Sequence, residues 1–149
     1  MNLAIDQGYL GMRNNHGGPF GAVVARNGRL VAAAYNEVIR TKDPTAHAEI
    51  VAIRRASAKR KSFDLSDCEV YSTCEPCPMC LGAIYWAGIR QVWFGCSRQD
   101  AARIGFRDKL IYDLLGGTRG RSLRKIRVGR RECLKLFLEW EHKDDRTMY

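Results

Sequence analysis

The stretch STCEPCPMC (residues 72–80) sets Cys74, Cys77 and Cys80 three residues apart, in two overlapping C-x-x-C pairs. Which of them meets a metal decides both fold and chemistry. Zinc takes four borderline or soft donors in a tetrahedron. Other donors are scarce, because the chain has three histidines, His16, His47 and His142. His47 lies in PTAHAEI (44–50), in the first turn of a helix expected over about 45–59. Pro78 suits the first turn of another helix, where a missing N–H costs nothing, so Cys77 and Cys80 straddle that helix's start. If the two N-termini converge, one His and two Cys meet with a fourth position open. An open position marks a catalytic site, because water can occupy it. Positive charge at helix N-termini also favours thiolates. A shell of His47, Cys74, Cys77 and Cys80 is the alternative; it would be closed and structural, and counting donors does not separate the two.

Glu49 favours the open shell. A carboxylate beside a metal-held water can take its proton and pass it to a substrate, work that contributes ~10²–10⁴-fold. Residues at i and i+2 diverge in mid-helix, but in the first turn both reach past the helix end. Cys74, on the strand side of Glu75-Pro76, then becomes a small buried hydrophobe.

Working outward, Asn27-Gly28 separates two apolar runs at 21–26 and 29–35, a strong hairpin signal. A helix over 3–15 is weakened by Gly8 and Gly11. Residues 36–44 read as loop. In the 45–59 helix, Ile50, Ile53 and Ala56 face inward and Arg54, Arg55 and Lys59 outward. Strands follow at 68–73 and 91–95, with a helix between them from Pro78 to about Trp86. Beyond lie a loop, a short helix at about 109–115, a break at Gly116-Gly117 and a last helix over 132–141. Strands alternating with helices predict an α/β sandwich in one domain spanning 1–149.

Of 149 residues, 46 % are hydrophobic and 28 % charged, ordinary for a globular chain. No apolar run spans a bilayer, and the N-terminus lacks a basic start followed by an apolar core. Six cysteines, three of them clustered, fit metal ligands and buried thiols in a reducing cytoplasm better than disulfides. The formal charge is +9, and segment 118–131 supplies seven cations without an acid. Such a segment can hold nucleic acid; a solvated, partly flexible connection is the favoured reading.

H-A-E at 47–49 with P-C-P-M-C at 76–80 resembles the zinc-dependent nucleobase and nucleoside deaminases. The resemblance implies a three-layer α/β/α sandwich of cytidine-deaminase type, with a mixed sheet of about five strands flanked by helices. It implies one catalytic Zn²⁺ per subunit on His47, Cys77 and Cys80, with Glu49 shuttling protons from its water as oxygen replaces an amino group. GGPFGAVV (17–24), NEVIRTKDPTAHAE (36–49), CEPCPMCLGAIYWA (74–87), GFRDKLIYDLL (105–115) and a terminal Tyr149 are similar to bacterial guanine deaminases. This likeness runs over 17–115 and returns at the C-terminal helix. Segment 116–131 departs from it, being more basic. The resemblance implies guanine as substrate, converted to xanthine and ammonia. Asn36 and Asp108 would hydrogen-bond the base, Phe20 and Trp86 would wall its pocket, and Ala46 would leave room at the zinc. It also implies a homodimer that exchanges about 117–149, so that Tyr149 closes the partner's site.

Three rivals stand. One is a tRNA adenosine deaminase gripping phosphates through Arg124, Lys125 and Arg127, against which the stretch RQDAARIGFRDKLIY (98–112) speaks. Another is a deaminase of cytosine, a nucleoside or another small amino-heterocycle. The third is a zinc-stabilised nucleic-acid module with a closed shell that includes Cys74.

Overall fold

The computed structural model describes residues 1–106, 111 and 124–146. Asp108, Tyr149, Gly116-Gly117 and, apart from residue 111, the helix expected at 109–115 lie outside the described residues.

The hairpin forms as its turn dictates. Asn27 and Gly28 take φ of 49° and 72°, the left-handed pair that matches the twist of flanking strands. It joins β1 (Gly21–Arg26) to β2 (Arg29–Tyr35). β3 (Glu69–Cys74) lies antiparallel to β1 on its other side, β4 (Gln91–Cys96) runs parallel to β3, and β5 (Arg124–Arg127) parallel to β4. The order β2-β1-β3-β4-β5 makes a mixed five-stranded sheet.

Helices α1 (Asn2–Arg13) and α6 (Arg130–Glu141) pack on one face; α3 (Ala48–Arg60) and α4 (Pro78–Trp86) cover the other. The expected three-layer α/β/α sandwich is therefore what the chain forms. Its larger core lies under α3, where Ala22, Val24, Ala34, Val70 and Val92 meet Ala48, Ala52 and Ala56. Opposite, α6 buries Cys133, Leu136, Phe137 and Trp140, the i, i+3, i+4, i+7 stripe of an amphipathic helix. Burying each of its large apolar side chains contributes roughly 1.5–3 kcal/mol.

Gly8 and Gly11 cost α1 propensity, about 1 kcal/mol each. Packing explains them. A Cβ on Gly11 would lie 2.6 Å from the Tyr35 ring, and one on Gly8 2.5 Å from Leu136 Cδ2.

Four elements differ from expectation. The loop at 36–44 holds a one-turn helix α2 (Val38–Thr41), nucleated where Asn36 Oδ1 accepts the Val38 N–H at 3.2 Å. The helix expected from Thr45 begins at Ala48, with His47 as its extended N-cap residue. The loop after β4 starts with α5 (Arg98–Arg103), closed by a capping box between Ser97 and Asp100. Part of the basic segment is an ordered strand rather than a flexible connection, with its basic residues still exposed. Residues Arg124–Arg127 form the edge strand β5, where Lys125 pairs with Glu75 and the Arg127 guanidinium lies 5.7 Å from the Phe94 ring centroid.

Candidate active site

Two helices aim their N-termini at one point. His47 is the N-cap residue of α3 and Cys77 that of α4; both backbones are extended and neither side chain caps its own helix. The side chains thus turn outward to each other. Cys80, one turn into α4, joins them. His47 Nδ1 lies 3.6 Å from Cys77 Sγ and 3.6 Å from Cys80 Sγ. Zinc bonds of about 2.3 Å to sulfur and about 2.0–2.1 Å to nitrogen, opened to a tetrahedral angle, separate S and N by about 3.6 Å. The donor set and its spacing fit zinc. Among the described residues, these three form the group able to hold a metal ion.

The thiols are coupled. Hydrogen bonding from Cys80 brings the Cys77 pKa down to about 4 against its burial, with His47 helping. Cys80 itself is pushed well up, first by Cys77 and then by burial. A divalent cation would bind the thiolate forms and displace thiol protons.

Cys74 stands apart, as the open-shell reading expects. Its thiol points to the Ser97 carbonyl at 3.7 Å and packs with Ile5, Cys96 and Phe137. The closed four-donor shell is not formed.

Glu49, in the first turn of α3, is buried at 6 % exposure. Its Oε1 accepts from the Ser72 hydroxyl at 2.9 Å and its Oε2 from the Cys80 thiol at 3.5 Å. Burial raises its pKa, the nearby Cys77 charge adds to the rise, and His47 and Ser72 pull it back. Strand alternation puts Ser72 on the face of Val70, toward α3. Reading β3 with period two would have found this hydroxyl.

A cavity open to solvent, with roughly 40 Å³ of free volume, is lined by Phe20, Asn36, His47, Glu49, Cys74, Glu75, Cys77 and Phe106. Asn36 is 2 % exposed, its amide oriented by the Val38 bond. Phe20 stands edge-on between Phe106 at 4.8 Å and Phe137 of α6 at 5.4 Å.

The structure therefore brings His47, Glu49, Cys77, Cys80, Asn36 and Phe20 together. Ala46 is buried beside His47 rather than on the cavity wall, its carbonyl accepting the Glu37 N–H at 2.9 Å. Trp86 is misplaced by the sequence reading. It is 84 % exposed at the far end of α4, about 13 Å along the axis from Cys77 at 1.5 Å per residue. A helix that aims its N-terminus at a site carries its C-terminus away. Cys74, Glu75 and Phe106 were missed as wall residues; Glu75 falls between two cysteines that draw the eye.

Comparison with known proteins agrees with this geometry. The family model described as the cytidine and deoxycytidylate deaminase zinc-binding region matches residues 1–96. Guanine deaminase of Bacillus subtilis is 41 % identical over 140 residues, 93 % of this chain and 90 % of the relative. The crystal structure of a Bacillus subtilis guanine deaminase superposes with a TM-score of 0.74, covering 99 % of this chain and 95 % of that one. A tRNA-specific adenosine deaminase of Buchnera aphidicola is 32 % identical over 91 % of this chain and 87 % of its own. The convergent His and Cys donors, the buried carboxylate beside them and the match over 1–96 have one reading: the chain belongs to the cytidine and deoxycytidylate deaminase family of zinc-dependent aminohydrolases.

Proposed function

We propose that this chain hydrolyses guanine to xanthine and ammonia, using one zinc ion held by His47, Cys77 and Cys80. The observation that carries the reading is the meeting, in one cavity, of these donors with the buried Glu49, in a chain 41 % identical to a guanine deaminase over 93 % of its length. When bound, zinc lowers the pKa of the water it holds to about 7. Glu49 takes a proton from the attacking water at a carboxylate oxygen while Ser72 fixes the other oxygen. It delivers that proton to a ring nitrogen, then takes the proton of the new C2 hydroxyl and gives it to the amine, which leaves as ammonia while the C2 carbonyl forms. Asn36 hydrogen-bonds the base edge, Phe20 supports its face and Asp108 accepts a ring N–H.

The chain acts as a homodimer in which about 117–149 crosses over and Tyr149 closes the partner's cavity. Tyr85 and Trp86, 69 % and 84 % exposed on α4, offer apolar surface to a second copy. Among the described residues no helix is long and apolar enough to cross a membrane, and all six cysteines are free and buried. A reducing cytoplasm suits both.

The test is ammonia release by the zinc-loaded protein from guanine, guanosine, adenine, cytosine and a tRNA anticodon stem. Turnover of guanine alone supports the reading; turnover of another amine, with guanine untouched, overturns it. Deleting residues 147–149 lowers turnover with zinc retained, and unchanged kinetics would dismiss Tyr149. A second reading, tRNA adenosine deamination, draws on the Buchnera relative and on Arg124, Lys125 and Arg127 of β5. Salt separates the two, because phosphate contacts weaken steeply with ionic strength and guanine is nearly uncharged.

A further inference from the structure

The basic strand reaches the cavity. Lys125 Nζ donates to Glu75 Oε1 at 2.9 Å, and Glu75 shares the cavity wall with His47, Glu49 and Cys77. Its side chain is 12 % exposed and lies two residues before Cys77. Three elements meet on it. Its N–H donates to the Cys96 carbonyl at the end of β4 at 2.8 Å. Its Oε2 accepts, at a long 3.5 Å, the Arg98 N–H that opens α5. Lys125 comes from β5, opposite Val92 of β4.

A carboxylate this buried is costly unless paired. Among the described residues, Lys125 is the cation on it. Without that ion pair the Glu75 side chain loses its anchor to β5, and the Glu75-Pro76-Cys77 turn is held less firmly.

We propose that Lys125 is a positioning residue for the metal-binding loop. Held by Lys125, Glu75 stays against the wall and fixes the backbone that presents Cys77. The edge strand of the basic segment thus serves the site through one side chain. This inference rests on the zinc site proposed above.

The test measures zinc affinity by competition with a chelating dye, and kcat and KM for guanine separately. Lys125→Met keeps the stem and removes the charge. It lowers zinc affinity about tenfold, the scale of partners outside the direct ligands, and raises KM. Lys125→Arg restores both. Arg29→Met, exposed on β2 at the opposite edge of the sheet, changes neither. Glu75→Gln reproduces the loss, and the double variant loses no more than either single one, as expected for two residues acting as a unit. The Gln variant also carries the test if Lys125→Met folds poorly. Zinc affinity of Lys125→Met within twofold of wild type overturns the proposal, and so does a loss that Lys125→Arg fails to restore. A wild-type chain that takes up no zinc overturns the site reading itself, a distinct failure.

Discussion

At the scale of single residues, the site is defined by what each side chain is prevented from doing. Glu49 is largely withdrawn from bulk solvent, and Ser72 and the Cys80 thiol supply partners for it. Glu49→Gln keeps the shape and the Ser72 bond but cannot accept a proton. It should retain stoichiometric zinc by metal analysis and lose about 10²–10⁴-fold in kcat; substantial residual turnover would contradict the shuttle. Ser72→Ala removes one hydrogen bond to a charged group, worth roughly 1.5 kcal/mol, about tenfold in rate. Steady-state kinetics should show kcat falling with KM and zinc content unchanged, because Ser72 touches Glu49 and is not on the cavity wall.

At the scale of elements, helix N-termini do most of the construction. α3 and α4 leave their N-cap side chains uncommitted to capping, which releases His47 and Cys77 for a metal. α5 shows the ordinary alternative. Its Ser97 and Asp100 close a capping box, and Asp100 also takes Arg130 of α6 at 2.6 Å and 3.1 Å. Burial opposes the Asp100 charge, yet Arg130 and the Ser97 N–H outweigh it and hold its pKa low. A carboxyl that is more acidic folded than unfolded stabilises fully above its unfolded value of about 3.9, and loses that contribution as pH falls through the lower folded value. Asp100→Asn should therefore cost about 1–2 kcal/mol at pH 7, a Tm drop of several degrees. The gap to wild type should close in melts below pH 4, and a gap independent of pH would refute the charge assignment.

At the scale of the molecule, the open question is which chain carries α6. In the single chain it packs on its own sheet and on α1, where Arg13 grips Glu139 through two bonds of 2.8 Å and 3.0 Å. Phe137 of the same helix backs Phe20 on the cavity wall. Exchange would make these contacts between subunits unchanged in kind, so packing energy alone does not choose. The double variant Arg13→Cys/Glu139→Cys, treated with a short bismaleimide, should run as a covalent dimer on a denaturing gel if the segment crosses over. A crosslinked monomer would place the helix on its own chain. Zinc-loaded wild-type protein treated alike is the control for the six native thiols, of which Cys77 borders the cavity.

Local chemistry is what the sequence determined by itself. Cysteine spacing, the Pro78 helix start, H-A-E and the Asn27-Gly28 turn are short-range signals, and they named the candidate donors, the neighbouring carboxylate and the hairpin, while the separation of Cys74 from Cys77 and Cys80 came only with the fold. The Ser-x-x-Asp box at Ser97 was equally legible and went unread. Other features are decided only when distant segments meet. The resemblance put Trp86 on the pocket wall, but helix direction carried it to the surface. Basic residues at 124–127 read as solvated because charge says nothing of pairing. The free edge of β4 made them a strand, and the buried Glu75 gave Lys125 a partner fifty residues away. Register, helix polarity and ion pairing depend on which surfaces meet in space, and that choice is made only by tertiary packing.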